Sequence, residues 1–427
     1  MTKKINEVLK EALTEAKPSL KEIGDIENKL KDFLIKLNHK LKSSKIDAEV
    51  FVGGSYAKRT LIKREKYDVD IFVRFDKKYI GKDISALTHK ILEGIKSNPI
   101  RIHGSRDYFK VNVEPWIFFE IVPVIKISKP QEAENITDLS YFHVKYLNKK
   151  LKKGLSDDII LAKSFCHANR VYGAESHIKG FSGYSLELLI QYYGSFLKFI
   201  REIAKSKEDK IIIDAEKHYS NKKQILMDMN SSKLESPIIL VDPTFRQRNA
   251  LATLSYWTFK KFKDACREFL ENPDIKFFKL KEIDFEKIGE NAKKKKYDFV
   301  LLRISTKMQK GAIAGSKLLK FYEHLDNSLE KYFEIQEKEF YYRNEQYADC
   351  FFVGKKKEGL VIRGPPISKI EEVKKFKEKH KKTFVKSKII YSKDEAKSNF
   401  KEFIVSWREK NREIIKSMYI REIKILD

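Results

Sequence analysis

Two acids stand two positions apart in Tyr67-Asp68-Val69-Asp70-Ile71-Phe72-Val73, shortly after a turn without bulk, Gly53-Gly54-Ser55-Tyr56. No other feature limits the fold as tightly. The acidic segment reads as a β-strand, and successive side chains of a strand point to opposite faces, so Asp68 and Asp70 share one face. Neighbouring carboxylates repel, and a fold keeps them most readily with a cation between them. The turn, through Gly54 and Ser55, offers backbone N–H groups and a hydroxyl, as a phosphate cradle requires. Carboxylates that hold metal beside a phosphate cradle point to nucleotidyl transfer.

A chain of 427 residues exceeds one ordinary core and accommodates about two to four domains. A hydrophobic fraction of 42% supports globular folding. No run of about 18 uncharged apolar residues is present, so no membrane association is expected. The segment Met1-Thr2-Lys3-Lys4-Ile5-Asn6-Glu7 leads into a charged amphipathic pattern and not into an apolar signal core. Cys166, Cys266 and Cys350 are far apart and in no metal or disulfide spacing, which fits a reducing, cytoplasmic location. The formal net charge of +27 favours a polyanionic partner through steering and counterion release. The competing reading is a lysine-rich, solubilising surface.

Along the chain, residues 1–45 read as two amphipathic helices broken and capped at Pro18-Ser19. Residues 48–125 read as a mixed sheet, with strands at Ala48–Val52, Asp68–Phe75, Tyr108–Val113 and Trp116–Lys126 and a helix near Ile84–Ser97. From about 143 to 260 the pattern is helical, interrupted by a short buried strand at Pro237–Val241 and a turn at Asp242-Pro243-Thr244. Further on, Phe299–Ile304 and Cys350–Val353 are short apolar runs, Lys293–Lys296 and Lys355–Lys357 read as loops, and Glu371–Lys382 and Phe400–Ile423 read as helices. The expected fold class is α+β and multidomain. A catalytic mixed-sheet domain spans 1–142, a helical central domain 143–257, and an α+β body and tail 258–427.

Two-metal nucleotidyl transfer needs a third acid from a neighbouring strand. Glu120, in Phe118-Phe119-Glu120-Ile121-Val122-Pro123-Val124, is the candidate. It is a lone charge in an apolar run, which is costly unless paired or metal-bound.

Gly53-Gly54-Ser55 with Asp68-Val69-Asp70 resembles the signature of the DNA-polymerase-β-type nucleotidyltransferases. That signature alone does not choose among their many products. Phe142-His143, Tyr172-Gly173-Ala174-Glu175, Gly180-Phe181-Ser182-Gly183-Tyr184-Ser185-Leu186-Glu187-Leu188-Leu189, Asp242-Pro243-Thr244 with Arg248-Asn249, and Arg363-Gly364-Pro365-Pro366, the last read as a turn, resemble the archaeal (class I) CCA tRNA nucleotidyltransferases in order and approximate spacing. The resemblance covers nearly the whole chain.

It implies template-independent addition of CCA to the 3′ end of tRNA from CTP and ATP, with tRNA gripped by its acceptor arm and a homodimer as an expected assembly. Asp68, Asp70 and Glu120 would hold Mg²⁺. Ser55 and Lys58 would contact the triphosphate, and Lys163 and Tyr172 would hold it from the second domain. Ser140 and His143 would lie near the nucleotide, Arg248 would help read the incoming base, and Ser182 would lie in the vicinity. Read from the residues alone, Lys163 is equally a snorkelling surface lysine, Tyr172 plain core, His143 a structural histidine, and Arg248 a partner of Asp242 across a turn.

Three positions depart from the family pattern: Glu120 replaces the usual aspartate, Lys58 a common arginine and Ser140 a common threonine. The added methylene of Glu120 moves its oxygens by about 1 Å. Lys58 keeps the charge of arginine but loses its bidentate geometry. Lys374, Lys375, Lys377, Lys379, Lys381 and Lys382 form a candidate RNA-contact strip, with a solvated helix face as the alternative. A poly(A) or oligo(U) polymerase, an oligoadenylate synthetase and a catalytically decayed RNA-binding homologue remain as other readings.

Overall fold

The computed structural model describes residues 2–104, 106–152, 154–280, 282–357, 360–380, 382–394 and 399–426. The chain forms two compact units, Met1–Ala174 with Ile178–Lys281, and Glu175–His177 with Glu282–Asp427.

The first unit opens with helices α1 (Thr2–Ala16) and α2 (Leu20–Ser43). Ser19 and Glu22 form a capping box that starts α2, satisfying two N–H groups at the helix end. Ile26, Leu30, Phe33, Leu37 and Leu41 recur at helical spacing and are buried, so one stripe of α2 covers a sheet. That sheet holds β1 (Ala48–Val52), β2 (Tyr67–Phe75), β3 (Ile100–Ile102), β4 (Tyr108–Glu114) and β5 (Ile117–Ile125), with the turn α3 (Gly54–Ala57) after β1 and the helix α4 (Ile84–Gly94) after β2. Its order is β1-β2-β5-β4-β3.

The β2–β5 pair is parallel, and its other pairings are antiparallel, so β5 lies beside β2 although two strands intervene in sequence. Val69, Ile71 and Val73 of β2 and Ile117, Phe119 and Ile121 of β5 are buried on the helix-covered face. Phe33 of α2 meets Phe119 edge-on at 5.0 Å. Strand alternation then leaves Asp68, Asp70 and Glu120 on the opposite face.

The same unit continues through α5 (Ser140–Lys150), α6 (Leu155–Ala168), α7 (Gly183–Tyr193), α8 (Phe196–Lys205), β6 (Ile211–Ile213), α9 (Lys222–Asp228), α10 (Ser231–Leu234), β7 (Ile238–Asp242), β8 (Phe245–Asn249) and α11 (Tyr256–Glu271). Phe165, Phe181, Phe196, Phe199, Phe262 and Phe269 fill the core where α6, α7, α8 and α11 meet. Each fully buried phenylalanine of this kind contributes about 1.5–3 kcal/mol of apolar burial.

The second unit contains α12 (Phe285–Lys294), β9 (Asp298–Thr306), α13 (Ala312–Leu329), β10 (Phe333–Tyr342), β11 (Tyr347–Lys356), β12 (Leu360–Pro366), α14 (Ile370–Lys379), β13 (Thr383–Lys386), β14 (Ile389–Asp394), α15 (Phe400–Lys410), α16 (Arg412–Ser417) and β15 (Ile420–Ile425). One sheet runs β10-β11-β9-β15 and a smaller one β12-β14-β13.

Several local expectations fail here for identifiable reasons. Lys355 and Lys356 belong to β11, where Lys355 pairs across the strands with Glu334 at 3.3 Å; a cross-strand ion pair lets a charged segment stay extended. Lys293 and Lys294 end α12, where cations suit the negative end of the helix. The run 400–423 is not one helix: Asn411 caps α15, and Ile420–Ile425 leaves the helical path to pair with β9. Gly364-Pro365-Pro366 lies within β12, at an irregularity in its pairing with β14, as prolines that cannot donate require. The lysine-rich helix stops at Lys379; Lys374, Lys375, Lys377 and Lys379 are exposed on it, Lys382 follows it, and Lys381 lies outside the described residues. Among the described residues no helix is long and apolar enough to cross a membrane.

Candidate active site

The acidic face is built by register. Asp70 of β2 stands opposite Glu120 of β5, and Asp68 opposite Phe118. Lys110 of β4 is the partner of Glu120 on its other side, with its ammonium 3.4 Å from the Phe118 ring centre. Burial and the Asp68 charge push the Asp70 carboxyl up to about 6, with Lys58 and Lys163 pulling back. Burial, then Asp70 and Asp68, push Glu120 up to about 8, opposed by Lys110. The sheet therefore holds two acids that resist ionisation together, as carboxylates sharing one site do.

The Gly-Ser turn is fitted to this face. The Gly53 N–H donates to the Asp70 carbonyl at 2.9 Å. Gly54 has φ +61°, and a Cβ on it would lie 1.7 Å from Asp70 Oδ2. Both observations demand glycine at Gly54: the backbone is left-handed, and the missing methyl is the space the carboxylate occupies. Ser55 follows on α3, half-buried.

A second cluster lies beyond Lys58, where α3 ends. Lys58 Nζ donates to Glu187 Oε2 at 2.5 Å. Lys163, 2% exposed, donates to Glu187 Oε1 at 2.8 Å, to Thr60 Oγ1 at 2.8 Å and to the Thr60 carbonyl at 3.2 Å. Burial alone raises an acid, but Lys163 and Lys58 outweigh it and hold Glu187 down at about 2. Lys163 is thus no snorkelling surface lysine. Tyr172 joins this cluster at Gly183, the first residue of α7, where a Cβ would come 3.0 Å from Tyr172 Oη and 3.6 Å from Lys163 Cε. Burial raises the Tyr172 phenol well above its ordinary value.

A third group gathers around Asp242, at the end of β7. Its carboxylate accepts from Arg248 Nη1 at 2.5 Å, Tyr184 Oη at 3.0 Å, the Thr244 N–H at 2.8 Å and the Thr244 hydroxyl at 2.7 Å. His143 Nε2 stands 3.2 Å from Asp242 Oδ2, without hydrogen-bond alignment. Its ring stacks on Tyr184, centres 3.9 Å apart. Burial lowers the His143 pKa against the pull of Asp242. Burial would raise Asp242, but His143, Arg248 and the Thr244 N–H hold it well below the usual carboxylate range. Asn249 braces the hairpin by accepting from Leu240 and Leu251 N–H groups at 3.0 and 2.9 Å.

The structure brings together Asp68, Asp70 and Glu120 on one face, Gly54 against Asp70, Lys58 with Lys163, and His143 with Arg248. Ser140 sits at the start of α5, one turn before His143. Ser182 is the N-cap of α7 and accepts from the Ser185 N–H at 3.1 Å, a structural task. Two organising acids, Glu187 and Asp242, were not expected as site residues. Glu187 carries the same signal as Glu120, a lone acid in an apolar run (Leu186-Glu187-Leu188-Leu189). Asp242 read as a turn residue and as a partner of Arg248, a pairing the structure shows, but not as the centre that also gathers His143 and Tyr184.

Among the described residues no three His, Cys, Asp or Glu side chains converge on a common ligation point. The donor chemistry nevertheless suits a hard divalent cation: three carboxylates on one face whose mutual repulsion such an ion relieves.

The chain is similar to known proteins in both parts of its first unit. Residues 3–140 match the Second Messenger Oligonucleotide or Dinucleotide Synthetase domain, and residues 157–279 match the second domain of tRNA nucleotidyltransferase. The CCA-adding enzyme of Nanoarchaeum equitans is 42% identical over 57% of this chain and 60% of that protein, so less than two thirds of it is spanned. The CCA-adding enzyme of Methanocaldococcus jannaschii is 31% identical over 90% of this chain and 86% of that protein. Among solved structures, a cytoplasmic RNA terminal U-transferase superposes with a TM-score of 0.50 at 14% identity, covering 66% of this chain and 99% of its own. At that identity the likeness shows the nucleotidyltransferase fold alone. With the Methanocaldococcus jannaschii protein aligned over 90% of its length, the chain belongs to the family of the archaeal CCA-adding enzymes, the tRNA nucleotidyltransferases.

Proposed function

We propose that this protein adds CCA to the 3′ end of tRNA, without a nucleic-acid template, using CTP and ATP. The observation that carries the reading is the register of β2 and β5, which sets Asp70 beside Glu120 next to a glycine turn shaped around Asp70. The terminal hydroxyl of the RNA attacks the α-phosphorus of CTP twice and of ATP once. Each step forms an oxygen–phosphorus bond and releases pyrophosphate.

Asp68, Asp70 and Glu120 would hold the divalent cation, with Mg²⁺ as the expected ion. Such a cation, when bound, lowers the pKa of the attacking hydroxyl and neutralises charge on the leaving group. Gly54 and Ser55 offer backbone and hydroxyl donors to the phosphates, and Lys58 supplies a cation at their edge. Ser140 and His143 flank the nucleotide. Arg248, held in one orientation by Asp242, presents guanidinium N–H groups to the base edge. A single fixed side chain cannot display two recognition patterns, so C-then-A selection needs the RNA end to complete the pocket.

The exposed lysines of α14 suit the phosphates of an A-form acceptor arm. The buried, free cysteines Cys166, Cys266 and Cys350 accord with a reducing cytoplasm. Pairing of two copies rests on the family resemblance, and sedimentation at micromolar concentration tests it.

The test is product sizing with Mg²⁺ and a tRNA lacking its 3′ CCA. CTP alone gives two additions and a stop, ATP alone gives none, and both give three. A long homopolymeric tail moves the protein to the poly(A) or oligo(U) class. Retained tRNA binding without extension makes it a decayed homologue.

A further inference from the structure

Lys110 takes no part in the reaction as described, yet it stands on the acidic face. Register puts Lys110 of β4 directly opposite Glu120 of β5, and Glu120 opposite Asp70 of β2. Directly opposed residues of neighbouring strands share a face, with Cβ atoms about 4.5–5.5 Å apart. One row across three strands therefore reads cation, acid, acid.

Lys110 sits across from Glu120 but is not its ion-pair partner. Its ammonium packs 3.4 Å from the centre of the Phe118 ring, and among the described residues it makes no hydrogen bond and no ion pair. Phe118 belongs to the same face, in register between Asp68 and Asn112. A cation over a ring face is held without a carboxylate. The N–H groups of the ammonium thus remain for an acceptor from outside, and the side chain is only half-buried.

The direction of the reaction identifies that acceptor. The glycine turn meets Asp70 from the β1 side of β2: Gly53 follows β1 and donates to the Asp70 carbonyl, and Gly54 borders the carboxylate. On the proposed reading, the departing phosphates are held at that edge of the acids. The attacking and leaving oxygens lie roughly in line, on opposite sides of phosphorus. The attacking hydroxyl then comes from the other side, over β5 and β4. Of the β4 residues on this face, Tyr108, Lys110 and Asn112, Lys110 alone is charged. The charged group nearest to the RNA's 3′ hydroxyl is the phosphate on the other side of its own sugar.

We infer that Lys110 binds the phosphate of the RNA's last nucleotide and thereby sets the 3′ hydroxyl beside Glu120. This rests on the proposed transfer to an RNA end. It adds a contact to the strand that attacks, not to the nucleotide that is attacked.

The test uses the full chain with Mg²⁺, ATP and tRNA ending in CC, with and without an uncharged methylphosphonate in place of the phosphate between the last two nucleotides. Lys110→Met keeps the packing over Phe118. It lowers kcat/KM for tRNA by about tenfold, as loss of one charged hydrogen bond does, while the KM for ATP and inhibition by pyrophosphate stay at their wild-type values. Lys110→Arg keeps the charge and recovers most of the loss. The methylphosphonate costs the wild type about tenfold and Lys110→Met less than about twofold, because the contact is already gone. The slope of log affinity against log salt falls by about one in Lys110→Met.

Additive losses from Lys110→Met and the methylphosphonate overturn the inference, as does a raised KM for ATP with tRNA unaffected. A lysine acting only through Glu120 changes the Mg²⁺ concentration needed for half-maximal rate and leaves the cost of the methylphosphonate in full; that result overturns it too. Equilibrium binding of the two RNAs to wild type and Lys110→Met, with Mg²⁺ and no ATP, reads the same coupling without turnover. Failure of the wild type to extend tRNA therefore overturns the functional reading separately from this one.

Discussion

Glu120 and Glu187 are two glutamates written into apolar runs, and the fold treats them oppositely. Glu120 sits on a sheet face beside two more carboxylates and is pushed up to about 8. Glu187 sits on a helix between two lysines and a threonine and is held at about 2. Among the described residues Lys110 moderates the first, whereas the second is neutralised by Lys163 and Lys58. On the proposed reading, the acid whose charge the protein leaves uncompensated is the one that takes an external cation. The acid whose charge is compensated marks internal scaffolding.

This contrast breaks most visibly at the chemistry. Asp70→Asn or Glu120→Gln lowers kcat by at least about a hundredfold, as the loss of several kcal/mol of transition-state stabilisation requires. Neither unfolds the protein: relieving like-charge repulsion raises Tm of the metal-free form by a few degrees, as about 1 kcal/mol does in a domain of this size. Single-turnover kinetics and calorimetry check the pair. A variant losing both activity and stability would place Glu120 among the scaffolding.

Glu187→Ala gives the mirror image. It leaves Lys163 buried without its anion and destabilises the first unit by about 3–5 kcal/mol, read by denaturant unfolding. The pH dependence differs in sign as well. Glu187 has a depressed pKa, so its contribution is present above about 4.5 and is lost as pH falls toward 2. Glu120 has a raised pKa, so in metal-free protein its penalty is absent below about 4.5 and grows as pH rises to about 8. Wild type and Glu120→Gln therefore have similar Tm at pH 4.5 and diverge by pH 8, with the variant the more stable.

A smaller effect sharpens the geometry. Glu120→Asp restores the usual family residue but withdraws the carboxylate by about 1 Å from a position set by strand pairing. It lowers kcat by about tenfold, within the range that misplacement of this size produces. A gain in kcat would show that the strand is positioned for aspartate.

Much of this was legible in the sequence. The strand at Ala48–Val52 and the two N-terminal helices lie within a few residues of their expected places, because alternation, helical spacing and the Ser19 cap are local signals. The acidic face was legible for the same reason. That the strand of Glu120 neighbours the acidic strand was expected from the chemistry, but its parallel direction and the register that sets Asp70 opposite Glu120 were not, because a helix and two other strands lie between them in sequence. Glu187 was passed over because its partners Lys58 and Thr60 come from more than a hundred residues away. The C-terminal strand was read as helix because Ile420 and Ile423 stand at helical spacing; only the irregularity between Ile420 and Glu422 in the pairing with β9 lets a strand bury both.

The contrast is tested most directly by carbon-13 NMR of the metal-free protein labelled at glutamate carboxyl carbons, with Glu120→Gln and Glu187→Gln spectra assigning the two signals. The account predicts that the Glu120 signal titrates near pH 8 while the Glu187 signal stays at its ionised position down to pH 4. Two signals that both titrate near 4.5 would contradict it.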